Sequence, residues 1–543
     1  MRTIHRAALA IGCLVLAAFQ LAGTHPGNID DAFIVLVYAR RLASGQPLAW
    51  NVADGRVDGF TSVLDLVVKA GATRLWPGDD FRTAWLLALV FEIGAIAIAL
   101  RFAFKIAGSS RRGAVPGALL ALAIAGSTAI AEGQSFVLET TLYVALALAA
   151  LHTVIAKDDA RPKTLAIFSA QCVLLSLARP EGILLALVLS FCFFVTRRGA
   201  APERTRIAPL IAAGTIVGAY LGWHLSYFGY VAPNTFYAKA SDSRVLEIQD
   251  GLAYVADFAL SPGTLLLAVG FVLAPVAAAL GAEWEDPQAR RSFAVAAIAA
   301  TTSALSVVLG GGDGYRGARF LAAPAALLLV AIAIAATGMR ARGRKVALAV
   351  LSLAVAQSLV LAFGSPLEKM SYFRDWPLSR KSFPCDADVT AVLHRLGVTS
   401  FAETDYQRLK YYDDDVRVID LTGLNDRAIA HRPHPGQNLW GKVDLATAPR
   451  TGAEALQIGP RFVTDVPLGR FSTAALFDNP KIATLFFGRP LPREARPAYV
   501  GAYVTAGFPV CGGDVYFDVL LRSDVAERAH LPGSAIGGQP TAP

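Results

Sequence analysis

The sequence predicts an α-helical polytopic membrane domain of about eleven transmembrane helices, followed by a C-terminal extracytoplasmic α/β domain. Three observations carry that expectation. Of the 543 residues, 54% are hydrophobic and only 17% charged, too apolar a mix for a chain of this length to cover a surface that faces water alone. The apolar residues gather into runs close to the length of a bilayer-crossing helix, about 17–25 residues. Basic residues cluster in alternate connections between those runs. The formal charge of +8 therefore points to anionic lipid at the membrane surface. Basic stripes with interleaved aromatics are absent, so nucleic acid is not an expected partner.

Runs at 7–22, 83–106, 114–131, 138–156, 164–179, 182–196, 207–227, 262–281, 292–309, 318–338 and 345–363 read as spans. Ala and Gly recur in them, which lets helix backbones approach closely. Arg2 and Arg6 ahead of Ala7–Leu21 imitate a signal peptide, but no small-x-small site closes the run. An uncleaved first span is the expectation. With Arg2 and Arg6 in the cytoplasm, the clusters at Arg111 and Arg112, at 157–163, at 197–206, at Arg290 and Arg291, and at 340–345 all fall inside as well. The C-terminal region then emerges outside. Phe60–Trp76 is apolar, yet Asp65 and Lys69 interrupt it at i, i+4 spacing, and counting it as a span would reverse everything downstream. It is expected to lie on the outer leaflet as an interfacial helix.

After Gly364 the chain turns polar and rich in Pro, Gly and Asp. Tyr499–Val504 and Asp514–Leu521 alternate like strands, and Asp386–Leu396 has a helical pattern. The expected organisation is a membrane domain over 1–363, a soluble α/β domain over 364–530, and a disordered Gly/Pro-rich tail over 531–543. Of five cysteines, Cys13, Cys172 and Cys192 lie in apolar runs and read as small core residues. Cys385 and Cys511 lie outside such runs and are candidates for a disulfide if that region is extracytoplasmic.

The loops placed outside hold the chemically equipped residues. Asn28-Ile29-Asp30-Asp31 follows the first span; paired carboxylates at a bilayer edge need water, a metal or a cationic partner, or else cap a helix. Glu132 and Glu139 lie in the second outer loop, Glu139 at the mouth of a span, and Glu92 lies inside one. Arg179-Pro180-Glu181 joins two spans either as a tight hairpin or as a source of charge. The segment 227–239 offers aromatic faces, Asn234, Thr235 and the cation of Lys239, a set suited to sugar and phosphate as well as to interface anchoring. Gly310–Phe320 places Asp313, Arg316 and Arg319 in a glycine frame whose backbone N–H groups can face an anion. Carboxylates, cations and aromatics thus converge on one face, where a substrate with a lipid tail and a charged head would arrive.

In this order, Asp30-Asp31, Glu139-Thr140, Arg179-Pro180-Glu181, Tyr227-Phe228-Gly229, Pro233-Asn234-Thr235 with Ala238-Lys239, and Gly311-Gly312-Asp313 followed by Arg319 resemble bacterial C-type glycosyltransferases. The branch most similar is that of the mycobacterial terminal arabinofuranosyltransferases, which Asp420–Asp426 also resembles. The resemblance covers scattered motifs over roughly 1–430. One departure is Asp65, which stands where the family has an apolar or aromatic residue.

The resemblance implies a multi-pass protein of the bacterial inner membrane. It implies a polyprenyl-phosphate sugar as donor, with arabinofuranose a candidate, and a glycan, lipid or protein as acceptor. Transfer breaks an anomeric C–O bond with a phosphate leaving group through an oxocarbenium-like transition state. One carboxylate stabilises that charge and one takes the proton of the acceptor hydroxyl. Asp30 and Asp31 are the expected pair. Arg179, Lys239, Arg316 and Arg319 are the expected partners of the donor phosphate, and Glu139, Asn234, Thr235 and Asp313 of the sugar or acceptor. No His or Cys metal cluster stands in the sequence and no cofactor is expected, although a carboxylate-bound divalent cation is compatible with the loops. A transporter or flippase of lipid-linked saccharides is the main competing reading; it would place paired broken helices and polar groups at the midplane. A non-catalytic scaffold that binds glycan is the other.

Overall fold

The computed structural model describes residues 3–22, 30–109, 112–156, 161–197, 203–260, 284–313, 318–363, 386–404, 406–433, 443, 448–457, 463–464, 496–510 and 515–529. The chain divides into two compact units. The first gathers Met1–Asn28, Thr61–Val231 and Ser243–Ser379; the second gathers Ile29–Phe60, Ala232–Asp242 and Arg380–Pro543. Two stretches expected to belong with the membrane helices, 29–60 and 232–242, are therefore grouped with the C-terminal residues.

The first unit is helical. Seven of its described helices are long and apolar enough to cross a membrane: Thr3–Ala22, Asp80–Gly108, Ala114–Ser135, Ile207–Phe228, Pro287–Leu309, Arg319–Gly338 and Ala341–Phe363. Three shorter apolar helices, Thr140–Ile155, Pro162–Ala178 and Glu181–Thr196, fall on three further expected spans. The eleventh, 262–281, lies outside the described residues. Ala322–Gly338 is buried along nearly its whole length and forms the centre of the bundle's core. Its seven apolar neighbours in sequence from Leu327 to Ala333 have no polar face to offer, so only an all-round packed position suits it. Gly117 shows how small residues tighten the packing: a Cβ there would lie 2.5 Å from the carbonyl oxygen of Ala103 on the neighbouring helix.

Ala114–Ser135 is broken at Gly126 and Ser127, between helices Ala114–Ala125 and Thr128–Ser135. A break inside a bilayer frees backbone carbonyls that lipid cannot satisfy. Here the buried amide of Gln20 donates to Gly126 O and to Ser358 O, both at 2.9 Å. Residues 60–76 do not form a span. They hold a helix of 13 residues, Val63–Leu75, started by Ser62, whose Oγ accepts from Asp65 N at 3.1 Å. Its polarity is inverted. Asp65 and Lys69 are buried, while Val67, Leu75 and Trp76 are exposed, as suits a helix whose outer face meets lipid.

The second unit is α/β. Its strands are β1 (Ser400–Glu403), β2 (Arg417–Asp420), β3 (Ala455–Gln457), β4 (Val463–Thr464), β5 (Tyr503–Val510) and β6 (Val515–Arg522). They form one mixed sheet in the order β2-β1-β3-β6-β4, with β5 on the other side of β6. β1 runs parallel to β2 and β3; the remaining pairs are antiparallel. Asp386–Arg395 is helical as expected. The strand expected at Tyr499–Val504 begins later, at Tyr503, because Arg496–Tyr499 turns as a helix before it. Helix Asp31–Ala43 belongs here and is buried on almost every face, with Phe33 edge-on to Tyr411 at 5.1 Å. The expected tail at 531–543 and the expected cysteine pair lie outside the described residues.

Candidate active site

Each unit holds part of the predicted set of residues. In the first, the helix Val63–Leu75, the turn before Thr140–Ala156, the hairpin at Arg179–Glu181 and the segment before Ala322–Gly338 bring together a buried cluster of charges. Arg179 is its centre. Its guanidinium donates from Nη1 to Glu139 and from Nε to Glu181, on different edges, and Cζ lies 4.2 Å from the ring centroid of Phe320 and 5.9 Å from that of Tyr143. Arg319 clasps Asp313 through Nε and Nη2 and approaches Phe320 to 5.1 Å. Phe320 N donates to Tyr254 Oη at 3.4 Å, and Glu132 accepts from Ala318 N at 3.1 Å. The residues expected to bind phosphate and those expected to bind sugar are thus bonded to each other: Arg179 to Glu139, and Arg319 to Asp313.

A second ion pair completes the cluster. Lys69 Nζ donates to Asp65 Oδ2 at 2.6 Å and to Val137 O at 2.8 Å. Burial pushes the Asp65 carboxyl up; the Lys69 ammonium opposes that shift and the charge of Glu139 adds to it. Val137 is buried with φ of +56°, the left-handed region, which costs a β-branched residue about 1–2 kcal/mol. Among the described residues, four carboxylates and three cations form its ion pairs, with side chains 1–10% exposed except Glu181 at 20%. Such pairs hold helix ends in register, because removing one partner would leave the other charge buried and unpaired. The i, i+4 spacing of Asp65 and Lys69 was visible in the sequence; that the pair turns inward depends on helix packing.

In the second unit, Asp30 precedes helix Asp31–Ala43 and is buried. Its Oδ1 accepts from Arg408 N at 2.9 Å and its Oδ2 from Gln407 N, the amide donors that open helix Arg408–Tyr412. Arg408 Nε stands 3.9 Å from Asp30 and 3.4 Å from Asp386, which in turn accepts from Tyr406 Oη at 2.7 Å. Burial pushes the Tyr406 hydroxyl well up, reinforced by the charge of Asp386. Asp31 is half-buried in the first turn of its helix. Helix Asn234–Lys239 is tied to the turn after β2. Asn234 Nδ2 donates to Gly423 O at 2.8 Å and to Leu424 O at 2.9 Å, and Asn234 N donates to Asp58 Oδ1 at 3.1 Å. Thr235 is buried, Lys239 is half-buried at the helix end, and Tyr237 stacks on His431 at 4.1 Å. Asp420 organises the turn by accepting from the backbone and side chains of Thr422 and Asn425 at 2.5–3.0 Å.

Arg316 lies outside the described residues. Among the described residues no group of three His, Cys, Asp or Glu is gathered to hold a metal. Sequence reading missed Asp386, Tyr406, Arg408 and Asp58; each becomes significant only through contacts far along the chain.

No protein-family model and no curated protein matches the sequence. Solved structures do match. The crystal structure of ArnT from Cupriavidus metallidurans bound to undecaprenyl phosphate aligns with a TM-score of 0.54 at 13% identity, over 97% of this chain and 99% of its own. The cryo-EM structure of the arabinofuranosyltransferase AftD from Mycobacteria aligns at 16% identity with a TM-score of 0.45, over 84% of this chain and 35% of its own. At the identity shared with ArnT, the likeness is one of architecture. This chain is a multi-pass membrane protein with the C-type glycosyltransferase fold.

Proposed function

We propose that the protein is a membrane glycosyltransferase that moves a sugar from a polyprenyl-phosphate donor to a glycan, lipid or protein acceptor of the cell envelope, on the outer face of the inner membrane. The observation that carries this reading is the end-to-end likeness to ArnT, a structure determined with undecaprenyl phosphate bound. Arabinofuranose is the sugar implied by the motif resemblance.

Their different contacts support different roles for the two aspartates. Both oxygens of Asp30 already accept backbone N–H bonds, so both are engaged within the fold. Asp30 therefore holds negative charge in a fixed place, and Asp31 takes the proton of the acceptor hydroxyl. Donor-phosphate contacts are assigned to Arg179, Arg319, Lys239 and Arg316. Arg179 already bonds Glu139 and Glu181, so a phosphate must exchange with one of them. Glu181 is the more exposed partner, at 20% against 10%, and is the one to leave. Glu139, Asn234, Thr235 and Asp313 are assigned to the sugar and acceptor side.

The test is transfer in vitro from polyprenyl-phosphate sugars by purified protein, with and without chelator to read any part played by a divalent cation. Asp31→Asn should fold normally and lose about 10²–10⁴ in rate, the usual contribution of a positioned base. Full activity in both Asp30→Asn and Asp31→Asn would sink the catalytic assignment. Passage of intact donor across liposomes without bond cleavage would instead make the protein a transporter.

A further inference from the structure

Val137 is an anomaly. A buried, β-branched residue in the left-handed region persists only where its surroundings over-determine it. Its backbone is held from two sides. Val137 N donates to Gln134 O at 3.0 Å, closing the turn after helix Thr128–Ser135, and its carbonyl receives Lys69 Nζ at 2.8 Å. Lys69 is itself fixed by Asp65 at 2.6 Å, and Asp65 by its place in the first turn of helix Val63–Leu75. Two residues beyond Val137, Glu139 reaches Arg179, and Glu139 O accepts Tyr143 N at 2.9 Å to start the next helix. Were Val137 to relax to φ below zero, its carbonyl would turn away from Lys69. The peptide that sets the direction of Glu139 would turn with it.

We propose that Lys69 is a positioning residue: anchored by Asp65, it pins the carbonyl of left-handed Val137 and so fixes the carboxylate of Glu139 on Arg179. Its effect on transfer rests on the function proposed above; its effect on the turn does not. A plain helix-to-turn staple would make every loss at Lys69 a loss of stability alone. A positioning role predicts that the loss is partly repaired by a residue that can take the left-handed conformation at position 137 without strain, as glycine does.

The experiment compares wild type, Lys69→Met, Val137→Gly and the double variant by hydrogen exchange over residues 136–143 and by transfer kinetics. Lys69→Met should raise exchange in this segment at least tenfold and lower kcat at least tenfold, with KM for the donor changed less than threefold. Adding Val137→Gly to Lys69→Met should recover part of both losses, the remainder being the cost of leaving the Asp65 carboxyl buried without Lys69. A double variant no better than Lys69→Met in exchange overturns the proposal. If Lys69→Met alone cannot be purified, yield of folded protein takes the place of exchange: recovery on adding Val137→Gly supports the proposal, and none overturns it. Absence of transfer in the wild type would strike the proposed function, while the exchange comparison would still decide the role of Lys69.

Discussion

At Gly59 the second unit leaves no room for a side chain. Gly59 N donates to Tyr38 Oη at 3.1 Å, and Tyr38 Oη donates to Asn425 Oδ1 at 3.3 Å. A Cβ on Gly59 would stand 1.7 Å from that same Asn425 oxygen and 3.1 Å from Ile34 Cγ2. Asn425 is not free to swing away, because its Nδ2 donates to Asp420 Oδ2 at 3.0 Å. Gly59→Ala should therefore destabilise the protein by about 1–3 kcal/mol, the usual cost of overpacking, read as a lower Tm in detergent. An unchanged Tm would show that the turn at 420–425 yields more easily than its bonds imply. The residue types at the site were legible; their partners were not. In the sequence Asn234 is a polar group suited to sugar; in the fold its amide nitrogen is occupied by the carbonyls of Gly423 and Leu424, 189 and 190 residues away. Asp30 stands out in the sequence by its charge alone, and its backbone donors lie 377 and 378 residues along the chain. Pairings at such separation leave no local pattern in a single sequence.

The elements best read from sequence are those with a period or a length set by their solvent. Membrane helices show as apolar runs because lipid demands them, and β6 shows as an eight-residue run rich in Val, Tyr, Phe and Leu. The three- and four-residue strands β1, β2 and β3 were not legible. They are buried on both faces, so no alternation marks them. β6 is also the strand on which the sheet depends. On one side it pairs β3 and β4, on the other β5, and Leu520 faces Leu456 and Thr505 at once. β5 tolerates Pro509 opposite Tyr516 because its far side carries no described partner strand. An interior strand has no such freedom, since proline removes a ladder N–H there and is found essentially only on edge strands or at bulges. Leu520→Pro should abolish folding of the second unit, seen as rapid proteolysis of the C-terminal region with the membrane helices still protected. Leu520→Val should be tolerated. Persistence of a protease-resistant C-terminal unit in Leu520→Pro would mean that β3 and β4 are held by something other than β6.

Across the first unit, side-chain contacts sort the connections into two sets, and both sets agree with the alternation of basic clusters. Lys69 meets Val137 O, Glu139 meets Arg179, and Glu132 meets Ala318 N; all lie in connections expected outside. At the other ends of the helices, Arg112 pairs with Glu285 at 2.9 Å, Glu285 N donates to Gly338 O at 2.8 Å, and Arg197 reaches Thr153 O at 3.2 Å. Those residues lie in connections expected inside, or at the inner ends of spans. The contacts tie the first set together through residues 132–139; the density of Lys and Arg argues that the second set faces the cytoplasm. That orientation is testable in a background whose five native cysteines are replaced. Asp79→Cys and Ala341→Cys introduce single thiols at exposed positions, the first just before a span and the second in the Arg340–Lys345 cluster. In intact cells a membrane-impermeant maleimide should label position 79 and not 341, with 341 reacting only after permeabilisation. The reverse pattern would invert the protein in the membrane, and Arg179, Glu139 and Lys69 would then face the cytoplasm, where a donor presented on the outer leaflet could not reach them.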